Sequence, residues 1–442
     1  MRLTLLLLLA FTLPACAEQT TTLELLYSGN LDGEIEPCGC SLESDYGGLQ
    51  RRATVIDQLQ ASNPELLLIS AGGLFSPERG SDQIKHSFIL SGVAQLDYDA
   101  IGIQWADLAH GEEMLAQSGL PFVVGNWKSD RISRSNSSSR AGDKLFFSQW
   151  LDPLSSPYAK MQTLSPITDQ AAPLQQAFKQ AKQQDKLTVL ATTLELAAVQ
   201  QLFDLQDIDL LLIQAAYEIY GEPQQLGNTL VLQPGSRGQR LGHLKLELDS
   251  EQRIASWQHA VLELPDTVAN APQLDSWYAE YNDALRQDYL DRVAQRKALK
   301  SGESPYLGEQ QCKVCHAAQH QVWSQSEHAK AFTDLEEVGK EFDSHCIGCH
   351  TVGFLQPGGY LDQGLTSHLS AVQCENCHGG SREHASSAGQ VATQNKALAT
   401  QEKAAEAICA QCHVREHSPS FDFNTYWPKI AHPGKPVLGN TQ

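Results

Sequence analysis

Cys312-Lys-Val-Cys315-His316, Cys346-Ile-Gly-Cys349-His350, Cys374-Glu-Asn-Cys377-His378 and Cys409-Ala-Gln-Cys412-His413 are four copies of one pattern, C-x-x-C-H, whose starts lie 34, 28 and 35 residues apart. In each copy two thiols stand ready to add across the two vinyl groups of one porphyrin, and the adjacent imidazole is placed to ligate its iron from the proximal side. Chance would supply about 0.01 such matches in a chain with 11 Cys and 15 His, so the repeat is a built feature. Zinc is the other reading of paired cysteines, since two C-x-x-C pairs make a four-thiolate tetrahedral site. A zinc ribbon has no use for His after every pair, and here all four pairs have it. The expected cofactors are therefore four covalently attached c-type haems with their iron, on Cys312, Cys315, Cys346, Cys349, Cys374, Cys377, Cys409 and Cys412. The proximal ligands are His316, His350, His378 and His413.

The second ligand of each iron decides what a haem can do. The chain has three Met residues, Met1, Met114 and Met161, none of them in the motif region. Met/His ligation, which raises the potential, is thus unavailable locally, and six-coordinate haems here should be bis-His and comparatively low in potential. His320 and His417 follow a proximal His by four residues, so on a helix they share its face and cannot reach the far side of the same iron. His345 abuts Cys346 and is similarly confined. These three are expected at the surface or beside propionates. His328, His384 and His432 are the expected distal ligands, with His368 a less well placed fourth. Three good ligands for four irons leave one site open.

Several of these residues carry a resemblance. Trp323-x-x-Ser326-x-His328-Ala, Cys349-His350-Thr-x-Gly353 and Val372-x-Cys374-Glu375-x-Cys377-His378-Gly379 followed by His384 resemble the tetrahaem cytochromes that carry electrons from hydroxylamine oxidoreductase in ammonia oxidisers, and their multihaem relatives. The resemblance spans nearly all of 306–442. It implies three bis-His haems and one five-coordinate, high-spin haem, the latter at His350.

The N-terminal half reads as a different kind of unit. Short apolar runs predict buried strands at Leu23–Tyr27, Leu66–Ile69, Phe122–Val124, Leu187–Leu190, Leu210–Ile213 and Thr229–Leu232. They alternate with helical stretches at Leu49–Ser62, Ile84–Leu96 and Ala172–Gln183. Leu244-Lys-Leu-Glu-Leu248 alternates strictly, like a strand with one wet face. In order along the chain, Ser28-Gly-Asn-Leu-Asp-Gly33, Gly47-Gly-Leu-x-Arg-Arg52, Leu66–Gly73, Tyr98–Gly102, Pro121–Asn126, Asp209–Ile213 and Val231–Gly242 resemble the N-terminal domain of the periplasmic 5′-nucleotidases, which are calcineurin-like metallophosphoesterases. The resemblance implies a four-layer α/β sandwich. That family binds two metal ions to activate water and clamp phosphate. Its ligands are mostly missing here. The opening D-x-H reads Asn30-Leu31-Asp32, the bridging Asp falls at Gly73, and the G-N-H-E box reads Gly102-Ile103-Gln104-Trp105. The later His positions fall near Thr193 and on Gln214-Ala215-Ala216. The fold inference stands without the chemistry, and no phosphoesterase activity is expected.

Glu36-Pro37-Cys38-Gly39-Cys40 places two cysteines in the loop that would hold the first metal ligands. A structural or reversible disulfide, a redox-active thiol pair, and a site for a sulfur substrate or metal are all open readings of Cys38 and Cys40. His86 and His110 are placed in sequence to join such a site, but read first as ordinary surface residues.

Residues 1–17 read as a signal peptide: Met1-Arg2, then a largely apolar run over Leu3–Leu13 and small residues at its exit. Leu13-Pro14-Ala15-Cys16 resembles a lipobox, and Ala15-Cys16-Ala17 an A-x-A cleavage site. Both readings put the protein in the periplasm or attached to the outer membrane, with any membrane contact made through a lipid on Cys16. No other stretch reaches the roughly 18 apolar residues of a membrane span. The formal net charge of −20 argues against a nucleic-acid partner and suits a basic redox partner, or solubility alone.

The expected organisation is a signal peptide, a degenerate metallophosphoesterase-like domain at 23–265, a helical linker at 266–305 and a mainly α, haem-packed tetrahaem domain at 306–442. The linker expectation rests on Leu274, Trp277, Tyr278, Tyr281, Leu285, Tyr289 and Val293, which recur at mostly three- and four-residue steps. The expected function is electron transfer, with another multihaem cytochrome or a quinol-linked reductase as partner. The alternative is a haem- or thiol-centred oxidoreductase acting on a small nitrogen or sulfur compound.

Overall fold

The structure is a computed structural model that describes residues 21–38, 45–76, 83–136, 140, 144–160, 164–213, 222–298, 304–393, 402–414, 417–418 and 420–432. The signal-peptide reading, Cys16, Cys40, the thiol of Cys38 and the segment 214–216 lie outside the described residues. The chain divides into two compact units, with the break in the main chain between Ala271 and Pro272.

The first unit is an α/β sandwich. Its larger sheet has the strand order Ile254–Glu263, Arg240–Leu248, Thr21–Ser28, Leu67–Ser70, Ala100–Gly102, Phe122–Val123. The last four run parallel and the first two join antiparallel. The second sheet has the order Gln224–Leu226, Thr229–Leu232, Leu210–Ile213, Leu187–Thr192, Leu145–Trp150. One apolar core lies between the sheets and draws on both: Leu25, Tyr27, Ile69, Val123 and Leu244 from one, Phe147, Val189, Leu212 and Leu230 from the other. Helix Ala172–Lys182 covers the outer face of the second sheet with Leu174 and Phe178, joined by Val199 of Leu196–Leu202. Helix Leu49–Ser62 buries Leu49, Ala53 and Ile56. Central strands packed on both faces need apolar residues at every position, which is why Leu210–Ile213 and Leu187–Thr192 are buried end to end. In Arg240–Leu248, by contrast, Leu244, Leu246 and Leu248 are buried while Lys245 is exposed, as the alternation predicts.

The second unit is built from short helices and turns around a small core of Phe332, Phe342, Ile347, Val352, Tyr360 and Leu369. The helix Asp275–Ala298 falls within the stretch expected to join and pack the two halves. It clusters with the second unit, and its Tyr289 and Val293 are members of that core. Tyr289 Oη donates to Leu361 O at 2.7 Å, Lys340 Nζ donates to Asn282 Oδ1 at 2.8 Å, and the Arg286 guanidinium lies 4.0 Å from the Phe342 ring centroid. An amphipathic stripe tells that a helix is packed but not against what. A unit with so little apolar surface of its own recruits the nearest helix.

Candidate haem sites and an amide network in the first unit

Each C-x-x-C-H motif forms one helical turn. His316 N–H donates to Cys312 O at 2.9 Å and His413 N–H to Cys409 O at 2.8 Å, while the other two motifs lie within helices Ser344–His350 and Cys374–His378. A turn brings residues four apart onto one face, so each imidazole stands beside its first cysteine. Asp343 caps the second motif through His345 N–H at 3.0 Å, and Gln373 with Asn376 forms a capping box on the third. Side chains tie the motifs together. Glu375 is buried, and its carboxylate accepts from Leu307 N–H at 2.8 Å, Gly308 N–H at 2.9 Å and Ser381 N–H at 2.9 Å. Trp323 Nε1–H donates to Val372 O at 2.7 Å, and Asn376 Nδ2–H to Thr351 O at 2.8 Å.

Three proximal imidazoles face a second imidazole. His316 and His384 have ring centroids 6.0 Å apart, His328 and His413 6.0 Å, and His378 and His432 5.9 Å. With metal–nitrogen bonds of about 2 Å, two imidazoles on opposite sides of one metal ion have ring centres roughly 6 Å apart. The rings are therefore spaced for an iron between them, and the donor set fits haem. Among the described residues, no such pair includes His350, although it lies near enough to His328 to affect it electrostatically. His368 is exposed and enters none of the pairs. His320 departs from its expected surface position. It is buried and paired with Glu309, which the spacing within its own helix could not reveal.

The charge state of the ligands suits the same role. Burial holds His316, His328, His378 and His413 below the usual imidazole range, and for the first three neighbouring imidazoles add to it. Neutral imidazole is the metal-binding form. His350 Nδ1 is hydrogen-bonded to Ala331 O, His384 Nδ1 lies 2.7 Å from Val391 O and His413 Nδ1 3.0 Å from Ser418 Oγ. The two carbonyl contacts fix the proton on Nδ1 and leave Nε2 of His350 and His384 for a metal, and the Ser418 hydroxyl holds Nδ1 of His413 on the side away from its Nε2.

None of the eight motif cysteines is in a disulfide. Cys312 lies within hydrogen-bonding reach of Cys374, and Cys349 of Cys412. Cys377 is close enough to Cys409 to feel its charge. The motif cysteines thus neighbour one another in the order first, third, fourth, second. A cavity lined by Cys312, His316, Cys374, Cys377, His378 and His432 lies between the first and third.

In the first unit, the positions of the metallophosphoesterase ligands hold a closed amide network. Asn30 Nδ2–H donates to Asp32 Oδ1 at 3.0 Å and to Gln104 Oε1 at 3.2 Å. Gln104 Nε2–H returns to Asn30 Oδ1 at 2.7 Å and to Ala71 O at 3.2 Å. Arg237 N–H takes Asp32 Oδ2 at 3.1 Å. A Cβ on Gly73 would stand 2.5 Å from Asn30 Cγ, so the amide fills the space a bridging carboxylate would need. The residues do not fit a pair of metal ions. Nearby, Asp107 accepts from Gly73 N–H, Phe75 N–H and Gln104 N–H, while burial pushes its carboxyl up to about 6 against the pull of those donors. His86, expected at the surface, is buried. It stacks on Phe75 with centroids 4.1 Å apart, and its Nδ1 is 2.8 Å from His110 Nε2.

Residues 311–379 match the model of the family described as cytochrome c554 and c-prime, which implies covalent c-type haem. Cytochrome c-554 of Nitrosomonas europaea is 35% identical over 154 residues, covering 27% of this chain and 65% of that protein. The 5′-nucleotidase precursor of Thermus thermophilus superposes with a TM-score of 0.52 at 16% identity, over 60% of this chain and 59% of that one. The sulfate thiohydrolase SoxB of the same organism gives 0.50 at 16% identity, over 63% and 62%. The chain thus spans about three fifths to two thirds of each of these proteins. Similarity at that identity shows the fold of the first unit and not its chemistry. The chain joins a segment similar to the cytochrome c554 and c-prime family to a unit with a fold like that of the 5′-nucleotidase precursor.

Proposed function

We propose that the second unit is a four-haem electron carrier of the bacterial cell envelope, with three irons held between imidazole pairs and one, at His350, left with an open face. The observation that carries this reading is the set of three ring pairs at 5.9–6.0 Å, none of which, among the described residues, includes His350. Cys312, Cys315, His316 and His384 would hold the first haem. Cys346, Cys349 and His350 would hold the second, Cys374, Cys377, His378 and His432 the third, and Cys409, Cys412, His413 and His328 the fourth. Bound haem iron supplies one-electron exchange between ferric and ferrous states. The contacts between motifs keep the four sites in one continuous run, and the imidazole pairs hold geometry and charge constant at three of them. The partner is a second redox protein, another multihaem cytochrome or a quinol-linked reductase. The signal sequence sends the chain to the periplasm, or to the outer membrane through a lipid on Cys16. The first unit serves as a scaffold or docking surface with no hydrolytic role.

That no imidazole among the described residues pairs with His350 favours one second reading: chemistry on a small nitrogen or sulfur compound at that iron. Mass spectrometry and absorption spectroscopy test both. The protein should carry four haem additions, and changing both cysteines of one motif to Ser should remove one. Three low-spin haems and one high-spin haem are expected. Replacing His384, His328 or His432 with Ala should turn one further haem high-spin. If the high-spin haem binds nitric oxide or cyanide, the second reading gains. Four low-spin haems inert to such ligands would end it and leave a pure carrier, and a Met–iron charge-transfer band would overturn the ligand assignment.

A further inference from the structure

The fourth motif differs from the second in what holds the far side of its imidazole. His350 reaches a backbone carbonyl, as does the distal ligand His384, whereas His413 reaches the Ser418 hydroxyl at 3.0 Å. With Nε2 turned toward the metal, Nδ1 carries the proton, so His413 donates and Ser418 Oγ accepts. A hydroxyl is a weaker acceptor than an amide carbonyl, and far weaker than a carboxylate. The stronger the acceptor, the more imidazolate character the ligand gains and the more the ferric state is favoured.

The rest of the local chain points the same way. Phe421 stacks on the His413 ring with centroids 4.3 Å apart and planes 14° from parallel, and Tyr426 meets it edge-on at 6.1 Å. Phe421 covers one face of the imidazole with apolar surface and fixes its orientation. Lys429 Nζ lies 4.4 Å from the Tyr426 ring centroid, which puts a positive charge beside the cluster, and a nearby cation disfavours the ferric state.

We propose that Ser418, supported by Phe421 and the Tyr426–Lys429 pair, is a positioning residue that sets the reduction potential of the haem on Cys409 and Cys412, keeping it above the value a carbonyl or carboxylate partner would give. This rests on the four-haem reading above. The consequence follows from the order of the attachment sites. Cys412 lies within hydrogen-bonding reach of Cys349, so a raised potential at the fourth site favours an electron resting next to the second site.

The test is a spectroelectrochemical redox titration of the full-length haem-loaded protein. The fourth haem is identified as the low-spin component lost in His328→Ala. Ser418→Asp should shift that component to lower potential by about a tenfold change in its oxidised-to-reduced ratio at fixed potential, or 59 mV for one electron. The other three components should stay put, and Ser418→Thr should restore the wild-type curve. If Ser418→Asp fails to retain four haems, Ser418→Asn, with an amide oxygen as acceptor, must move the same component in the same direction by a smaller step. A fourth-haem component unmoved by both variants, with four haems present by mass, overturns the proposal. Three haems in the wild-type protein would instead overturn the four-haem reading, so the two failures are distinguishable.

Discussion

Glu375 lies between the two cysteines of the third motif, and its carboxylate is spent on three backbone N–H groups, two of them just before the first motif. Glu375→Ala would leave buried donors without a partner, at a cost of about 2–4 kcal/mol. Thermal unfolding followed at the haem band should show a lowered midpoint, and the mature protein should carry fewer haems. An unchanged midpoint would mean that the three bonds are not made. The amide network of Asn30, Gln104 and Asp32 supports the opposite kind of prediction. No hydrolysis of nucleotides or aryl phosphates is expected with added Mn, Co or Zn, and metal-dependent turnover lost in Asp32→Ala would refute the reading of that site. At this scale the proximal candidates could be named because their chemistry is local: two thiols and an imidazole within five residues. His328, His384 and His432 could be named as distal candidates by elimination, but not the ring pairs they form, because each lies tens of residues from its partner imidazole. The burial of His86 on Phe75 and the His320–Glu309 pair were hidden because neither pair falls at the period of one helix or strand, and Ser418 carries no motif of its own, although a hydroxyl five residues after His413, followed by Phe421, is a signal that could be sought.

Helix Asp275–Ala298 shows how far periodicity reaches. The stripe of Trp277, Tyr281, Tyr289 and Val293 announced a packed helix, and all four are buried. Which unit it packs into depended on partners such as Phe332, Ile347 and Tyr360, which no local pattern links to it. Tyr289→Ala should therefore destabilise the haem-binding unit, removing a buried ring and the bond to Leu361 O at a cost of about 3–5 kcal/mol. Unfolding followed at the haem band should shift to lower denaturant. A shift seen only in the first unit would place the helix there instead. The strands tell a similar story. Leu210–Ile213 and Thr229–Leu232 matched their apolar runs residue for residue. Leu145–Trp150 escaped because it carries Ser148 and Gln149, both buried, inside a strand that ought to read as apolar. Ile254–Glu263 escaped because it is an edge strand with no fully buried residue and no apolar run to notice.

Over the whole molecule, two folds with separate cores are carried on one chain, and the family patterns for each were readable because they occupy separate stretches of sequence. Among the described residues no helix is long and apolar enough to cross a membrane. The property that belongs to the entire chain is charge. A formal net charge of −20, to which haem propionates would add, creates a field that draws in cationic partners and repels anionic ones. Such steering acts on the encounter rate and is screened over about 10 Å at 0.1 M ionic strength. The bimolecular rate of electron exchange with a basic redox protein, measured by stopped-flow at the haem band, should therefore fall by roughly tenfold or more between low and high salt. With an acidic protein of similar potential the rate should be lower at low salt and rise as salt is added. The contrast separates the two readings of the acidic surface. If it serves only solubility, the productive docking patch carries no net field and both rates stay flat with salt. If it serves recognition, the two curves converge as the charges are screened, and the difference at low salt measures how strongly the chain selects a basic partner.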